Sequence, residues 1–400
     1  MSMATQPVAH PRAWRTSRTS RTSLSLLLGA AAALLLVLAG CAADKPKPTA
    51  LETVAPQISG RQVWAARVES VRFPLAVAVR DGNFIVAGSD GTVLALDAQS
   101  GAERWRGQAG KSLSAGVGSD GRFAAVVTRD NELVVLDKGA KLWSANLASR
   151  TSTAPLVAGE RVFVIGVDRV VHAFDALDGR RLWTLQRPGE ALTLSQPAVL
   201  AAYKNTLVAG IGALMLGIDP TTGSVRWELA VTLPRGTNEV ERLNDLVGPL
   251  LRVGDSLCAR AFQTAVGCVA ISGSSSGGGE RATLRWSRNA GGQQALGGDA
   301  DYVFGVDGTD RLSAWRAASG DLAWTHERLL YRGLSAPLSA GKTVMFGDVE
   351  GQVHFLARED GRSLLRLATD GSPVVAQPVL SGSTMLVVTR NGGVFAFRPE

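Results

Sequence analysis

The stretch from Pro74 to Trp105 reads PLAVAVRDGNFIVAGSDGTVLALDAQSGAERW, and its pattern decides the fold. Phe84-Ile-Val-Ala-Gly88 is a short apolar run with β-branched residues, the mark of a buried strand. Ser89-Asp90-Gly91 is a tight-turn signal, because glycine takes φ > 0 without a Cβ clash. Thr92 to Asp97 forms a second strand and Ser100-Gly101 a second turn. Glu103 to Trp105 then opens a further strand that ends on a large ring. A sheet this small cannot bury its own apolar face and needs copies to stack against.

The chain supplies the copies. Unit two holds Arg122 to Asp137 and closes at Lys141-Leu142-Trp143. Unit three runs from Pro155 to Trp183 and unit four from Pro197 to Trp227. Unit five runs from Pro249 to Trp286 and carries a Ser/Gly-rich insertion at Ser272 to Gly279. Unit six holds Arg311 to Trp315 and closes at Trp324. Unit seven, Pro337 to about Arg366, has Leu365 or Arg366 where the others have Trp. Unit eight begins at Pro378 and stops after Gly393 to Phe397, short of an outer strand. Arg61-Gln-Val-Trp64 to Val68, ahead of unit one, looks like that missing strand. If it pairs onto unit eight, the sheet closes on itself and no open edge remains. A period of roughly 40 residues suits propeller blades. The expectation is an all-β, eight-bladed β-propeller of four-stranded antiparallel blades over residues 61–400. Seven blades is the alternative count should unit two or eight prove a distorted turn. The repeated Trp reads as packing between blades, and Asp97, Asp137, Asp175 and Asp219 as turn-nucleating carboxylates.

Charge points to a leader. Four of the 42 basic residues (Arg12, Arg15, Arg18, Arg21) lie in the first 40 positions, which hold no acid; the remaining 38 face 35 acidic residues. The basicity therefore belongs largely to the N-terminus, and a nucleic-acid partner is disfavoured. Residues 1–40 read as a signal peptide, with Leu24 to Leu38 as its apolar segment. That segment ends in Leu38-Ala39-Gly40-Cys41, which resembles the bacterial lipobox, so lipidation is expected at Cys41. An ordinary signal peptide that happens to contain Cys is the alternative. Ala42 after the Cys suggests outer-membrane sorting. Residues 41–60 read as the lipidated Cys and an extended, Pro-bearing tether.

Cys258 and Cys268 flank the hairpin turn of unit five, centred near Gln263. An exported protein matures in an oxidising space, which favours a disulfide; two buried free thiols are the alternative.

Chemistry is sparse. His172 and His354 are placed in matching inner strands, packed or channel-facing, with no partner at metal-ligand spacing. Gly116 to Gly121 fits GxGxxG but leads into a strand, so it reads as a turn. Gly273 to Gly277 fits GxSxG inside a low-complexity loop, away from any strand-to-helix elbow. No catalytic residue, metal site or cofactor is assigned. The repeat Ala-Leu-Asp-x-x-Ser/Thr-Gly-x-x-x-Trp does resemble that of pyrroloquinoline-quinone (PQQ) dehydrogenases. A periplasmic quinoprotein dehydrogenase-like enzyme is therefore the alternative function. Those enzymes commonly carry adjacent cysteines and a carboxylate-held calcium, whereas the cysteines here are ten positions apart and the loops are short.

A lipobox, a tether and eight such units together resemble the BamB family, lipoprotein subunits of the outer-membrane β-barrel assembly machinery. Glu239-Val-Glu241-Arg242-Leu243-Asn-Asp245-Leu-Val-Gly-Pro249 is similar to a family segment, with Arg242, Leu243, Asp245 and Pro249 matching and Val247 where the family carries a second Asp. Ala191-Leu192-Thr193-Leu194-Ser195 is similar to a second one; both leucines match and Ser195 stands where the family has Arg. The resemblance implies a non-catalytic scaffold whose two loops lie side by side and dock on the POTRA domains of BamA. Leu192 and Leu194 would be apolar anchors, with Arg242 and Asp245 as polar rim contacts and Leu243 beside them. It also implies contact with other Bam subunits, unfolded outer-membrane protein clients as candidate partners, and a lipid anchor on the periplasmic face of the outer membrane.

Overall fold

The computed structural model describes residues 46–188, 192–233, 237–273 and 279–399. The chain divides into two units, Met1–Lys47 and Pro48–Glu400, and the second is the ring considered below. Cys41 and the segment before it lie outside the described residues, as do Ala191 and most of the GxSxG loop.

Eight four-stranded antiparallel sheets follow one another as propeller blades, so the count is eight and not seven. Blade one is Ala78–Arg80, Asn83–Ala87, Thr92–Asp97 and Glu103–Gln108, from the axis outward. Its first strand has three residues, too short for an alternation to register in the sequence. The second and third strands are buried almost throughout. Both of their faces pack on neighbouring blades, which is why they read as continuous apolar runs. The outer strand is mostly exposed.

The eighth blade is completed from the other end of the chain. Gly60–Arg67 lies antiparallel to Gly393–Pro399, with Trp64 opposite Ala396 and Ala65 opposite Phe395. The last blade thus takes its outer strand from the first strand in the sequence, and the sheet edge there is covered.

Five outer strands then lock onto the next blade through their tryptophan. The indole Nε1 of Trp64 donates to Ala98 O (3.1 Å), Trp143 to Ala176 O (2.8 Å), Trp183 to Pro220 O (3.0 Å), Trp286 to Ala317 O (2.8 Å) and Trp324 to Arg358 O (2.9 Å). Each of these rings lies over a glycine of the neighbour's outer turn. A Cβ on Gly101 would meet the Trp64 ring at 2.6 Å, and φ there is +72°. Hence the Ser/Thr/Asp-Gly of the repeat belongs to its partner blade's tryptophan as much as to its own turn. Trp227 differs: its Nε1 donates to the buried Glu280 carboxylate (3.1 Å), because the unit-five insertion replaces the usual turn.

Three of the four repeat carboxylates hold their turns as expected, Asp175 through Leu177 N–H, whereas Asp137 receives the Arg122 guanidinium. Asp97 Oδ1 accepts from the backbone N–H of Gln99 and Ser100, and Asp219 Oδ1 from those of Thr221 and Thr222. The GxGxxG match is an inner-strand device. Gly118 passes so close to the next blade that a Cβ would sit 1.7 Å from Pro155 O. Cys258 and Cys268 face one another across two strands of blade five, with Cα atoms 4.0 Å apart and their sulfurs bonded.

Ordered contact with the ring begins before residue 60. Thr49 N–H donates to Leu330 O, Gln57 N–H donates to Leu364 O, and the Arg366 guanidinium donates to Glu52 O. Leu51 and Ile58 pack into the seams on either side of blade seven. Residues 49–58 are therefore packed on the ring, where Leu51 and Ile58 find partial burial, rather than extended away from it.

Candidate docking face

Strand order puts two kinds of loop on one face: the turns between second and third strands, and the connectors between blades. The two segments singled out by sequence are both connectors, Leu192–Gln196 entering blade four and Thr237–Asp245 entering blade five. They meet. Asp245 Oδ2 accepts from Leu194 N–H at 2.9 Å. Asp245 Oδ1 lies 3.6 Å from the Arg169 guanidinium, which also donates to Leu192 O at 3.0 Å. Arg169 is 8 % exposed and sits at φ +63° in the hairpin turn of blade three. A cation that sheltered requires a nearby acceptor, and Asp245 and the Leu192 carbonyl provide it.

Asp245 consequently points into the protein, where it ties blades three, four and five together. It is therefore not the polar rim contact that the resemblance implies. Its other backbone contact, Phe262 N–H to Asp245 O, fixes the start of blade five. Glu241 closes its own connector by accepting from the Thr237 N–H (2.7 Å) and hydroxyl; these bonds, the backbone one foremost, hold its carboxyl below the ordinary range. Arg242 and Leu243 are half-buried and Leu194 is too, whereas Leu192 is 39 % exposed. Val247 is buried and bridges Ala198, so the position where the family has Asp is here part of the core.

Sequence reasoning missed three residues of this face. Arg169 gave no signal because its partner is 76 positions away. Leu233 and Val240 are the most exposed large apolar side chains of the ring, at 69 % and 70 %. They flank the same connector, and an apolar residue in a polar loop was the signal available. Ser195 lines a cavity of about 460 Å³ beside Arg72, Arg129 and Arg150, three exposed guanidinium groups from the neighbouring blades. The axis holds a cavity of about 670 Å³ lined by the inner strands, among them Val77, Val117, Pro155 and Pro249.

The histidines lie elsewhere. His172 and His354 occupy third strands, not the inner ones, and neither faces the channel. His172 Nδ1 is 3.1 Å from Thr184 Oγ1, and His354 Nε2 is 3.0 Å from the fully buried Asp348. Asp348 also receives Arg332 at 2.9 Å, and Arg332 in turn donates to Thr49 O at 3.0 Å. That cluster fastens the N-terminal segment to blade seven. Among the described residues no group of three or more His, Cys, Asp or Glu side chains is arranged to hold a metal ion.

The family model described as outer membrane protein assembly factor BamB matches residues 49–112 and 89–326. A relative from Burkholderia pseudomallei (strain K96243) with the same description is 36 % identical over 380 residues, covering 93 % of this chain and 97 % of that protein. The crystal structure of BamB from Moraxella catarrhalis superposes with a TM-score of 0.75 at 23 % identity, covering 85 % of this chain and all of that one. A quinohemoprotein alcohol dehydrogenase from Comamonas testosteroni shares the fold at a TM-score of 0.61 and 16 % identity, covering 85 % of this chain and 76 % of that one.

Proposed function

Since this chain belongs to the family of the outer membrane protein assembly factor BamB, we propose that it acts as a non-catalytic scaffold of the outer-membrane assembly complex. It docks through the connector face on the POTRA domains of BamA and assists insertion of β-barrel precursors. The observation that carries this reading is the junction at Asp245. One carboxylate and the sheltered Arg169 hold two connectors in a fixed arrangement, with Leu192, Leu233 and Val240 turned outward. Apolar side chains on a rigid base, with polar groups around them, are the usual anatomy of a docking site. Leu194, Arg242 and Leu243 support the outward residues from half-buried positions. The quinoprotein alternative rests on fold-level likeness at 16 % identity, against 36 % for the assembly factor.

Lipidation at Cys41 would tether the ring to the periplasmic face of the outer membrane, since burying acyl chains contributes about 0.8 kcal/mol per methylene. Capture of the full chain by purified POTRA domains tests the docking. Leu192→Asp and Val240→Asp should each weaken capture at least tenfold without changing thermal stability. Unchanged capture in both would place the interface elsewhere. Cys41→Ser should move the protein from the membrane to the soluble fraction.

A further inference from the structure

The pairing of outer strand on third strand is alike in every blade except one. Across each outer strand, Trp faces a smaller residue of the third strand: Trp64 opposite Ala396, Trp105 opposite Ala95, Trp143 opposite Val135, Trp183 opposite Ala173, Trp227 opposite Gly217, Trp286 opposite Cys268 and Trp324 opposite Ala314. Blade seven reverses the sizes, with Leu365 opposite Phe355. The aromatic ring has moved one strand inward. Leu365 meets Gly60, the first residue of blade eight's outer strand rather than a turn glycine, with its Cδ2 3.1 Å from where a Cβ would stand. Leucine does not reach as far as an indole, however. A cavity of about 350 Å³ opens at one end of this seam and runs from the outer strands inward to the first strands, walled by Ile58, Leu365, Leu367, Leu380, Met385 and Phe397. Leu380 at its edge is 37 % exposed. Pro399, at the end of blade eight's third strand, closes the far side. Five other indoles donate to a carbonyl at that end of the neighbouring blade.

We propose that the seam between blades seven and eight is a binding site for an aromatic side chain, an indole in particular, presented by another polypeptide in an extended segment. The chain itself shows what this geometry accepts, because its own tryptophans fill the corresponding seams. The incoming ring lies against Phe355, Leu365 and Met385, where offset aromatic contact and sulfur–ring contact both favour it. Its N–H is directed to the Pro399 end. The source of the ring rests on the assembly reading: strands of outer-membrane barrels carry girdles of aromatic residues, which an unfolded precursor exposes.

The probe is 5-fluorotryptophan amide, titrated into the detergent-solubilised full chain and followed by 19F NMR, with leucine amide as competitor. Wild type should give saturable broadening that leucine amide does not reverse. The double variant Phe355→Ala, Leu365→Trp restores the pairing of the other blades and should weaken binding at least tenfold while keeping the melting temperature. Leu380→Asp alters an exposed residue and should weaken binding at least fivefold without unfolding. The proposal is overturned by no saturable binding in wild type, by equal binding in all three proteins, or by equal displacement with leucine amide. Loss of POTRA capture by wild type, with probe binding retained, would remove the assembly reading and leave the ring site standing.

Discussion

Replacing Asp245 by Ala separates two roles that sequence alone merges. The Asp245 carboxylate receives Leu194 N–H at 2.9 Å and stands 3.6 Å from Arg169, both side chains being only 16 % and 10 % exposed. A hydrogen bond to a charged group contributes about 1.5–3 kcal/mol. Its loss should raise local opening of the Leu192–Ser195 connector by roughly 10- to 150-fold, since 1.4 kcal/mol is a factor of ten. The amide of Leu194 reports this directly in native-state hydrogen exchange. Global stability should fall less, because the connector can open without the blades. Docking on POTRA domains should weaken through the lost order of the connector, whereas Leu192→Asp should weaken docking with the Leu194 amide still protected. An unchanged exchange rate at Leu194 in Asp245→Ala would refute the bridging role.

Trp64→Ala should destabilise the ring by about 2–3 kcal/mol, below the range for a fully buried Trp because the side chain is half-exposed; thermal melts with Trp64→Phe as a milder control check this. Cys258→Ser with Cys268→Ser releases a short loop and should cost at most about 3 kcal/mol on chain-entropy grounds, read from denaturant midpoints under oxidising and reducing conditions. Burial pushes His172, His326 and His354 below the ordinary value of 6.5, with Arg181, Arg328, and Arg366 and Arg332 respectively adding to the effect. Asp168 opposes it at His172, the Gly361 carbonyl and then Glu52 at His326, and Asp348 at His354. The unfolded chain therefore takes up protons first, and stability present above pH 6.5 should be lost as pH falls through the depressed folded values. A His354→Gln variant should show a shallower slope in melting temperature against pH; an identical slope would exclude His354 as a contributor.

The repeat made the ring legible without coordinates. Most units show two apolar runs, two turn signals and a closing Trp at similar spacing, with Leu365 in the Trp position of unit seven, and an element that cannot bury its face alone must stack. Trp64 ahead of unit one likewise marked the strand that completes blade eight. Local chemistry of this kind sits within a few positions and survives in one dimension. The short first strands did not show, because three residues are too few for a period to register. The candidate docking face is half legible: its two connectors carry segments similar to those of the family, whereas the inward turn of Asp245 leaves no mark in the sequence. Its partners Arg169 and Leu194 lie 76 and 51 positions away, and only folding brings their polar groups within reach. The seam at blade seven follows the same logic. Sequence records that Leu365 replaces a tryptophan. Whether the space left is refilled by Phe355 or stays open depends on how two adjacent blades pack, which is a property of volumes and distances in three dimensions.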